Sequence, residues 1–244
     1  MTFDPRRMRV ITDSKEENAY LEDIVRGHAW SATPIRILEA GCGRKWELDL
    51  TGLDHIITGI DLDSKALAHR RDVVKDLQEA IVDDIRTAAL PPSSFDVVYS
   101  AFVLEHVQGA DKVLANFFRW LRPGGLLILR IPDRDSAYGF VTRMTPHWVH
   151  IAFKRYAEGL KEAGKPGFGP YPTYYEKCMS RGSIVDQCQR SGLRVRDMFG
   201  TRGQVVRKGL GSTFFGIQKL SQIASIGRLS GDHMNLTVII EKPI

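Results

Sequence analysis

The chain has 244 residues, of which 43% are apolar and 26% charged, with a net charge of +5. This composition excludes wholesale disorder, and the length allows a core that needs neither disulfides nor metal. No run approaches the ~18 consecutive apolar residues of a membrane-spanning helix, and the N-terminus lacks the apolar stretch of a secretory signal. The three cysteines, Cys42, Cys178 and Cys188, show no Cys-x-x-Cys or Cys/His spacing. That argues against a disulfide framework or structural zinc and predicts a reducing, cytoplasmic location. The charge is uneven. Residues 1–142 carry 18 Lys+Arg against 22 Asp+Glu, whereas residues 143–230 carry 15 against 5. A basic second half suits an anionic substrate, a membrane surface or nucleic acid, and equally a solvated face.

In chain order, Ser14-x-x-Glu17 has the form of a capping box, and Tyr20, Leu21, Ile24 and Val25 follow at helical spacing. Residues 1–34 therefore form an N-terminal helical extension. Short apolar runs come next: Ile35 to Leu38, Ile56 to Ile60, Ala80 to Val82, Phe95 to Tyr99 and Leu126 to Ile131. Helical segments separate them, over 64–77 and, most clearly, over 111–121, where Val113, Leu114, Phe117, Phe118 and Leu121 make one stripe. Arg122-Pro-Gly-Gly125 stops that helix. Strands alternating with helices predict an α/β fold with a doubly wound, mostly parallel sheet, whose ligand sits at the strands' carboxyl ends.

The second half is less regular. Residues 134–144, 146–150 and 154–163 have helical character, while 164–172 is too rich in Gly and Pro for regular structure. A helix is predicted over 181–190, a sixth strand from Leu193, and a last strand over 235–241. Residues 133–192 and 201–232 read as cap insertions on one domain. Within the second, Phe214, Phe215, Ile217, Leu220 and Ile223 lie in an amphipathic stretch, and residues 210–229 offer a candidate peripheral membrane contact.

Chemistry concentrates at the strand ends. Gly41 and Gly43 follow the first strand, where a side chain would keep the backbone from a ligand. Asp61 stands 20 residues after Gly41, at the next strand end, positioned to accept hydrogen bonds from a ribose diol. Asp83, Asp84 and Ser100 end the following strands. The third glycine of a dinucleotide fingerprint is replaced by Trp46, which counts against NAD. Glu39, just before the turn, would repel a pyrophosphate and suits a cationic ligand.

Together, Glu39-Ala-Gly-Cys-Gly43, Gly59-Ile-Asp61-Leu-Asp63, Asp83-Asp84-Ile85, the run Phe95 to Val107 and Leu121-Arg-Pro-Gly-Gly125 resemble the successive motifs of class I S-adenosylmethionine-dependent methyltransferases. The likeness covers residues 35–132, and extends to the ubiquinone- and menaquinone-methyltransferase-like subgroup. It implies a Rossmann-like seven-stranded sheet with an antiparallel last strand, supplied here by 235–241, and S-adenosylmethionine as cofactor. It also implies that Glu39, Gly41, Cys42 and Gly43 hold the methionine portion. Asp61, with Leu62 beside it, takes the ribose hydroxyls. Asp84 or Asp83 takes the adenine amino group, with Ile85 at the ring. Ser100, Ala101 and Phe102 line the cofactor near the methyl. Two positions depart from the family pattern. Lys45 replaces a frequent third glycine, and Phe102 replaces the first acid of a Glu-x-x-Glu-His metal cluster, so no metal is expected and Glu105-His106 reads as a pair pinning the loop.

Methyl transfer to a hydroxyl needs alignment and a base. Candidate bases are His106, His147 and His150, the last two spaced to share a helix face, with Tyr171, Tyr174 and Tyr175 after the Gly/Pro stretch. Trp148, Phe153 and Phe168 read as core or pocket wall. The expected activity is methyl transfer to a small anionic or amphiphilic acceptor, such as a lipid, glycan precursor or secondary metabolite. The alternatives are a nucleic-acid methyltransferase, disfavoured because Ser100-Ala-Phe102 stands where an Asn/Asp-Pro-Pro-Tyr motif would be, and a non-catalytic cofactor-binding or membrane-peripheral protein.

Overall fold

The computed structural model describes residues 8–31, 33–156, 159–165, 169–202 and 229–244. The predicted membrane-surface stretch at 210–229, nearly all of the second cap, and Phe168 lie outside these residues. Among the described residues no helix is long and apolar enough to cross a membrane.

Eight strands form one sheet: β1 Val10–Ile11, β2 Ile35–Ala40, β3 His55–Asp61, β4 Glu79–Val82, β5 Phe95–Ala101, β6 Leu121–Pro132, β7 Arg194–Thr201 and β8 Asn235–Glu241. Their order is β1-β7-β8-β6-β5-β2-β3-β4. Only β8 is reversed, pairing antiparallel with both β6 and β7. The predicted count of seven is corrected to eight by β1, whose Val10 and Ile11 pair in parallel with Gly200 and Thr201. Two residues before a helix are too short to carry a strand periodicity, so this edge pairing has no sequence signature.

The chain order reverses beside β2. β3 lies on one side of it and β5 on the other. That reversal opens a crevice at the carboxyl ends of β2 and β5. Apolar residues of both sheet faces are covered. Leu21 and Val25 of α1 (Ser14–Arg26), with Leu67 of α2 (Ser64–His69), pack in one core cluster. Val113, Leu114 and Phe117 of α3 (Ala110–Trp120) pack in the other. The cap reading needs revision at its end. α4 (Ala137–Met144) and α5 (His147–Tyr156) are additions near the crevice, but Ile184 and Cys188 of α6 (Arg181–Arg190) belong to the main core. The separate helices predicted over 146–150 and 154–163 are one helix, α5, and the described residues after it form turns.

The predicted capping box also changes. Asp13, not Ser14, caps α1, accepting from the Lys15 N–H at 2.8 Å. Glu17 is freed from capping because it points inward. Its carboxylate meets the Arg130 guanidinium of β6 at 2.8 and 3.0 Å and accepts from Thr237 Oγ1 of β8 at 2.6 Å. Arg130 also contacts Glu47, and its Nη1 donates to the Tyr99 hydroxyl at 3.0 Å. A buried acid on an otherwise apolar helix stripe thus ties α1 to two strands. Removing one partner leaves a buried charge under-compensated, at a cost of ~3 kcal/mol or more. Glu17→Ala is therefore expected to lower the unfolding free energy by about 3 kcal/mol, read from the midpoint of urea denaturation. An unchanged midpoint would show that the network contributes nothing.

Candidate active site

β2 delivers the chain to the turn Gly41-Cys42-Gly43. Gly41 has φ +72° and Gly43 +52°, both in the left-handed region that favours glycine. A Cβ on Gly41 would lie 2.3 Å from Val103 Cγ2, so the turn is packed tightly against the segment after β5. A Cβ on Gly43 would meet nothing within 4 Å. That side faces open space.

The turn is held from beneath. Arg70, fully buried, begins the single π-helical turn Arg70–Val74 that follows α2. Its Nη1 donates to Glu39 Oε2 at 2.6 Å and to the Cys42 carbonyl at 2.9 Å. Its Nε donates to Asp76 Oδ1 at 3.0 Å. The turn is held from the side by β3. Gly41 N–H donates to the Ile60 carbonyl at 2.8 Å, and Gly43 N–H donates to Asp61 Oδ2 at 3.0 Å. The other Asp61 oxygen accepts from Asp63 N–H at 2.9 Å. Each carboxylate oxygen keeps further lone-pair capacity, so Asp61 is oriented by backbone and still able to accept from a diol.

Above the strand ends lies a cavity of about 1030 Å³. Of the predicted cofactor residues, Gly41, Gly43, Asp61, Leu62, Asp83, Asp84, Ile85 and Phe102 line it. Four do not, and the reasons are local. Glu39 is 4% exposed and turned into the interior toward Arg70, where burial pushes its carboxyl up to about 8 against the opposing pull of Arg70. Cys42 is buried, and burial pushes its thiol up to about 12. Ser100 is buried and donates its hydroxyl to the Ala40 carbonyl at 3.1 Å. Ala101 packs against the buried core of the α1 face instead. The direct grip predicted for Glu39 is thus replaced by an indirect one, through Arg70 and the Cys42 carbonyl. At the far end Arg86 clamps Asp84, with Nε 2.9 and 3.0 Å from its two oxygens. Hydrogen bonding from that guanidinium holds the Asp84 carboxyl below its usual range. Asp83 instead accepts from Asp84 N–H at 2.7 Å.

The other wall is a strap, residues 171–175, crossing from the irregular Gly/Pro segment. Tyr171, Pro172 and Tyr174 line the cavity opposite Asp61 and Phe102, beside His106. The loop after β5 pins the strap. His106 Nδ1 lies 2.8 Å from the Pro172 carbonyl, and Tyr174 N–H donates to the Glu105 carbonyl at 2.7 Å. Glu176 then accepts from the N–H groups of Gly109 and Ala110 at 2.8 and 2.9 Å. His106 Nδ1 and the Glu105 backbone carbonyl thus tie the loop after β5 to the strap. His106 faces the large cavity. His147 and His150 do not; they start α5 with stacked rings 6.4 Å apart and line a second, smaller cavity. Among the described residues no group of three or more His, Cys, Asp or Glu is placed to hold a metal ion.

Arg70 was the element that sequence reasoning missed. A signal existed. Ala66, Leu67 and Arg70 share one helical face by their spacing, and a cation on an apolar stripe implies a buried acidic partner.

The residues present fit the expected cofactor. An oriented carboxylate faces the cavity from β3, and the turn at Gly43 is open where a ligand approaches. Ile85 offers an apolar edge beside two acids, and Arg70 beneath the turn is paired with Glu39, while Arg44 and Arg86 also line the cavity.

Glu105 yields a pH-dependent expectation. Its side chain is 3% exposed, Oε2 has no hydrogen-bond partner, and burial pushes its pKa up to about 8. The folded protein therefore holds a proton that the unfolded chain releases near its ordinary value. Between about pH 4.5 and 8 stability falls as pH rises. Glu105→Gln removes that slope. Its stability relative to the parent should grow from about zero at pH 4.5 to a few kcal/mol at pH 8, in denaturation series across that range. A constant difference would show that Glu105 does not titrate in this window.

Known proteins point the same way. A family model described as a methyltransferase domain matches residues 38–129. A protein of Mycolicibacterium smegmatis named as a probable S-adenosylmethionine-dependent methyltransferase is 33% identical over 164 residues, covering 64% of this chain and 63% of that one. Phosphoethanolamine N-methyltransferase 1 of Arabidopsis thaliana is 29% identical over 143 residues, covering 53% of this chain but 28% of its own. The match thus spans less than two thirds of either relative. The crystal structure of a SAM-dependent methyltransferase from Methanosarcina mazei shares the fold with a TM-score of 0.57, at 17% identity, covering 91% of this chain and 97% of that one. With the crevice at the β2/β5 reversal, the glycine turn and Asp61 beside it, residues 38–129 carry the methyltransferase domain that the family model describes, and the chain is similar to S-adenosylmethionine-dependent methyltransferases.

Proposed function

We propose that the protein transfers the methyl group of S-adenosylmethionine to a hydroxyl of a small-molecule acceptor, with a lipid, a glycan precursor and a secondary metabolite as candidate classes. The observation that carries this is Asp61. Its two oxygens are each held by one backbone N–H at the wall of a cavity of about 1030 Å³, directly beside the glycine turn. The size suits a nucleoside cofactor with a small acceptor next to it. The Arabidopsis relative is named for methylation of a small molecule at nitrogen, which supports a small-molecule acceptor and leaves the hydroxyl as part of the proposal.

The bound cofactor supplies an electrophilic methyl on a sulfonium. The chain supplies alignment and a base. The Gly41–Gly43 turn and Asp61 hold the donor half at one side of the cavity. Phe102, in the left-handed region at φ +57°, is held there by its N–H bond to the Arg130 carbonyl at 2.7 Å. Its ring lies 5.5 Å from the Arg130 guanidinium and forms part of the wall between donor and acceptor. Tyr171 and Tyr174 wall the acceptor side.

His106 is the base this geometry favours. A carbonyl oxygen only accepts, so the bond to Pro172 places the ring hydrogen on Nδ1 and leaves Nε2 its lone pair. That nitrogen can take the proton of an acceptor hydroxyl as the oxygen attacks. His150 is less available, since its Nε2 lies 2.8 Å from Thr145 Oγ1.

Calorimetric titration tests the reading. The parent protein should bind S-adenosylmethionine, and Asp61→Ala should weaken binding by ~10-fold or more through loss of charge-assisted hydrogen bonds. His106→Gln should leave that affinity within about threefold and lower turnover of acceptors found by screening by ~10²-fold or more. A parent protein that does not bind the donor ends the proposal. Full turnover in His106→Gln removes the base assignment.

A further inference from the structure

On the far side of Pro172 and Tyr174 from the large cavity lies a second one of about 280 Å³, and these two residues wall both. Its charged lining is one-sided. Arg134, Arg143, His147 and His150 face it, with the hydroxyl-bearing Thr142 and Thr173, and no carboxylate lines it among the described residues.

The unpaired arginines are the unusual feature. Arg134 is half-buried and Arg143 exposed at the cavity wall, whereas more deeply placed arginines meet acids. Arg70 meets Glu39 at 2.6 Å, Arg122 meets Asp96 at 2.7 Å, Arg130 meets Glu17 at 2.8 Å, and Arg181 meets Asp133. Arg134 and Arg143 have no such pairing among the described residues. Arg134 donates to the Tyr175 carbonyl of the strap, and Arg143 Nε donates weakly to the Gly139 carbonyl at 3.3 Å. The acid nearest to them in charge, Asp135, already accepts from the Arg181 N–H at 2.9 Å. Two guanidinium groups thus line one cavity without a direct ion pair among the described residues, and partial burial with the neighbouring Arg134 charge pulls the Arg143 pKa down against the opposing pull of Asp135. Like charges at a cavity wall are unfavourable until an anion enters between them, and guanidinium groups match the geometry of phosphate oxygens.

We infer that this smaller cavity is an oxyanion subsite, in which Arg134 and Arg143 bind the phosphate group of the methyl acceptor while the rest of the acceptor passes the strap toward His106. The inference rests on the proposed methyl transfer for its place in the reaction, and on the unpaired arginines for the ligand class. Phosphate is favoured over a monoanion because two guanidinium charges, with imidazoles beside them, balance a dianion. The strap joins the two sites, since Arg134 holds Tyr175 and His106 holds Pro172 three residues away.

Inorganic phosphate is the probe, titrated by calorimetry or ³¹P line broadening into protein saturated with S-adenosylmethionine. The parent should bind it. Arg143→Gln should weaken it about tenfold or more, and the charge reversal Arg143→Glu should abolish it. Circular dichroism and donor affinity of both variants should match the parent, which separates a lost site from a lost fold. Glycerol 3-phosphate and vesicles with or without phosphatidic acid, whose headgroup is a phosphomonoester, then distinguish the sources. Competition by glycerol 3-phosphate identifies a soluble phosphomonoester. Failure to compete, with retention on anionic vesicles that Arg143→Gln loses, identifies a lipid headgroup. Absence of phosphate binding, equal binding by parent and Arg143→Gln, or displacement of phosphate by S-adenosylmethionine itself would each overturn the subsite. Loss of donor binding in the parent with phosphate binding intact would instead count against the methyl-transfer reading alone.

Discussion

The contact on which the crevice depends is that of Arg70 with Glu39 and the Cys42 carbonyl. A glycine-rich turn has little side chain with which to hold itself, and its two positive-φ residues gain no packing from a Cβ. Here a single buried guanidinium spans the gap. It reaches from the turn after α2 to the end of β2 and to the backbone of the glycine turn itself. Taking either charge away would leave the other buried and unpaired, so the pair acts as a lock more than as a source of net stability. With the turn fixed, the Gly43 N–H is available to orient Asp61, and Asp61 in turn presents its remaining lone pairs to the cavity.

A second restraint acts on the opposite wall. The loop after β5 carries Phe102 into the left-handed region and then makes the short turn Leu104–His106. The two carbonyl-directed bonds from that turn, at Pro172 and Tyr174, place an irregular segment from 66 residues further along as the roof of the crevice. Glu105 is the cost of this arrangement. Its backbone serves the strap, while its buried carboxyl has Oε1 3.9 Å from His106 Nε2 and no hydrogen-bond partner for Oε2. The same restraint that shapes the acceptor side therefore makes stability depend on pH.

Much of this was legible in residue order. The apolar runs Ile35 to Leu38, Ile56 to Ile60 and Phe95 to Tyr99 fall within observed strands, and the helix over 181–190 and the final strand 235–241 coincide with observed elements, because fully buried strands and amphipathic helices leave strong periodicities. The glycine turn with Asp61 beside it was legible because backbone approach demands glycine and the sheet topology sets the distance to the next strand end. Other features were not. The capping of α1 shifted by one residue from Ser14 to Asp13, since both are good cap residues and only the inward pull of Arg130 on Glu17 decides between them. β1 was hidden by its length. The cap insertion could not be divided from α6, since apolar residues at helical spacing look alike whether they cover a crevice or enter the core.

Sequence by itself determined the fold class and the switch-point crevice, since hydrophobic period, glycine placement and acid spacing are local properties of the chain. Only the tertiary structure decided which acids face the ligand and which face arginine. Glu39 and Asp61 are both carboxylates at strand ends, yet one is turned under the turn by Arg70 and the other is turned into the cavity by two backbone N–H groups. The partner that makes this choice lies up to 31 residues away in sequence. Charge pairing in a low-dielectric interior is set by distance in space, and that distance exists only once the sheet has formed.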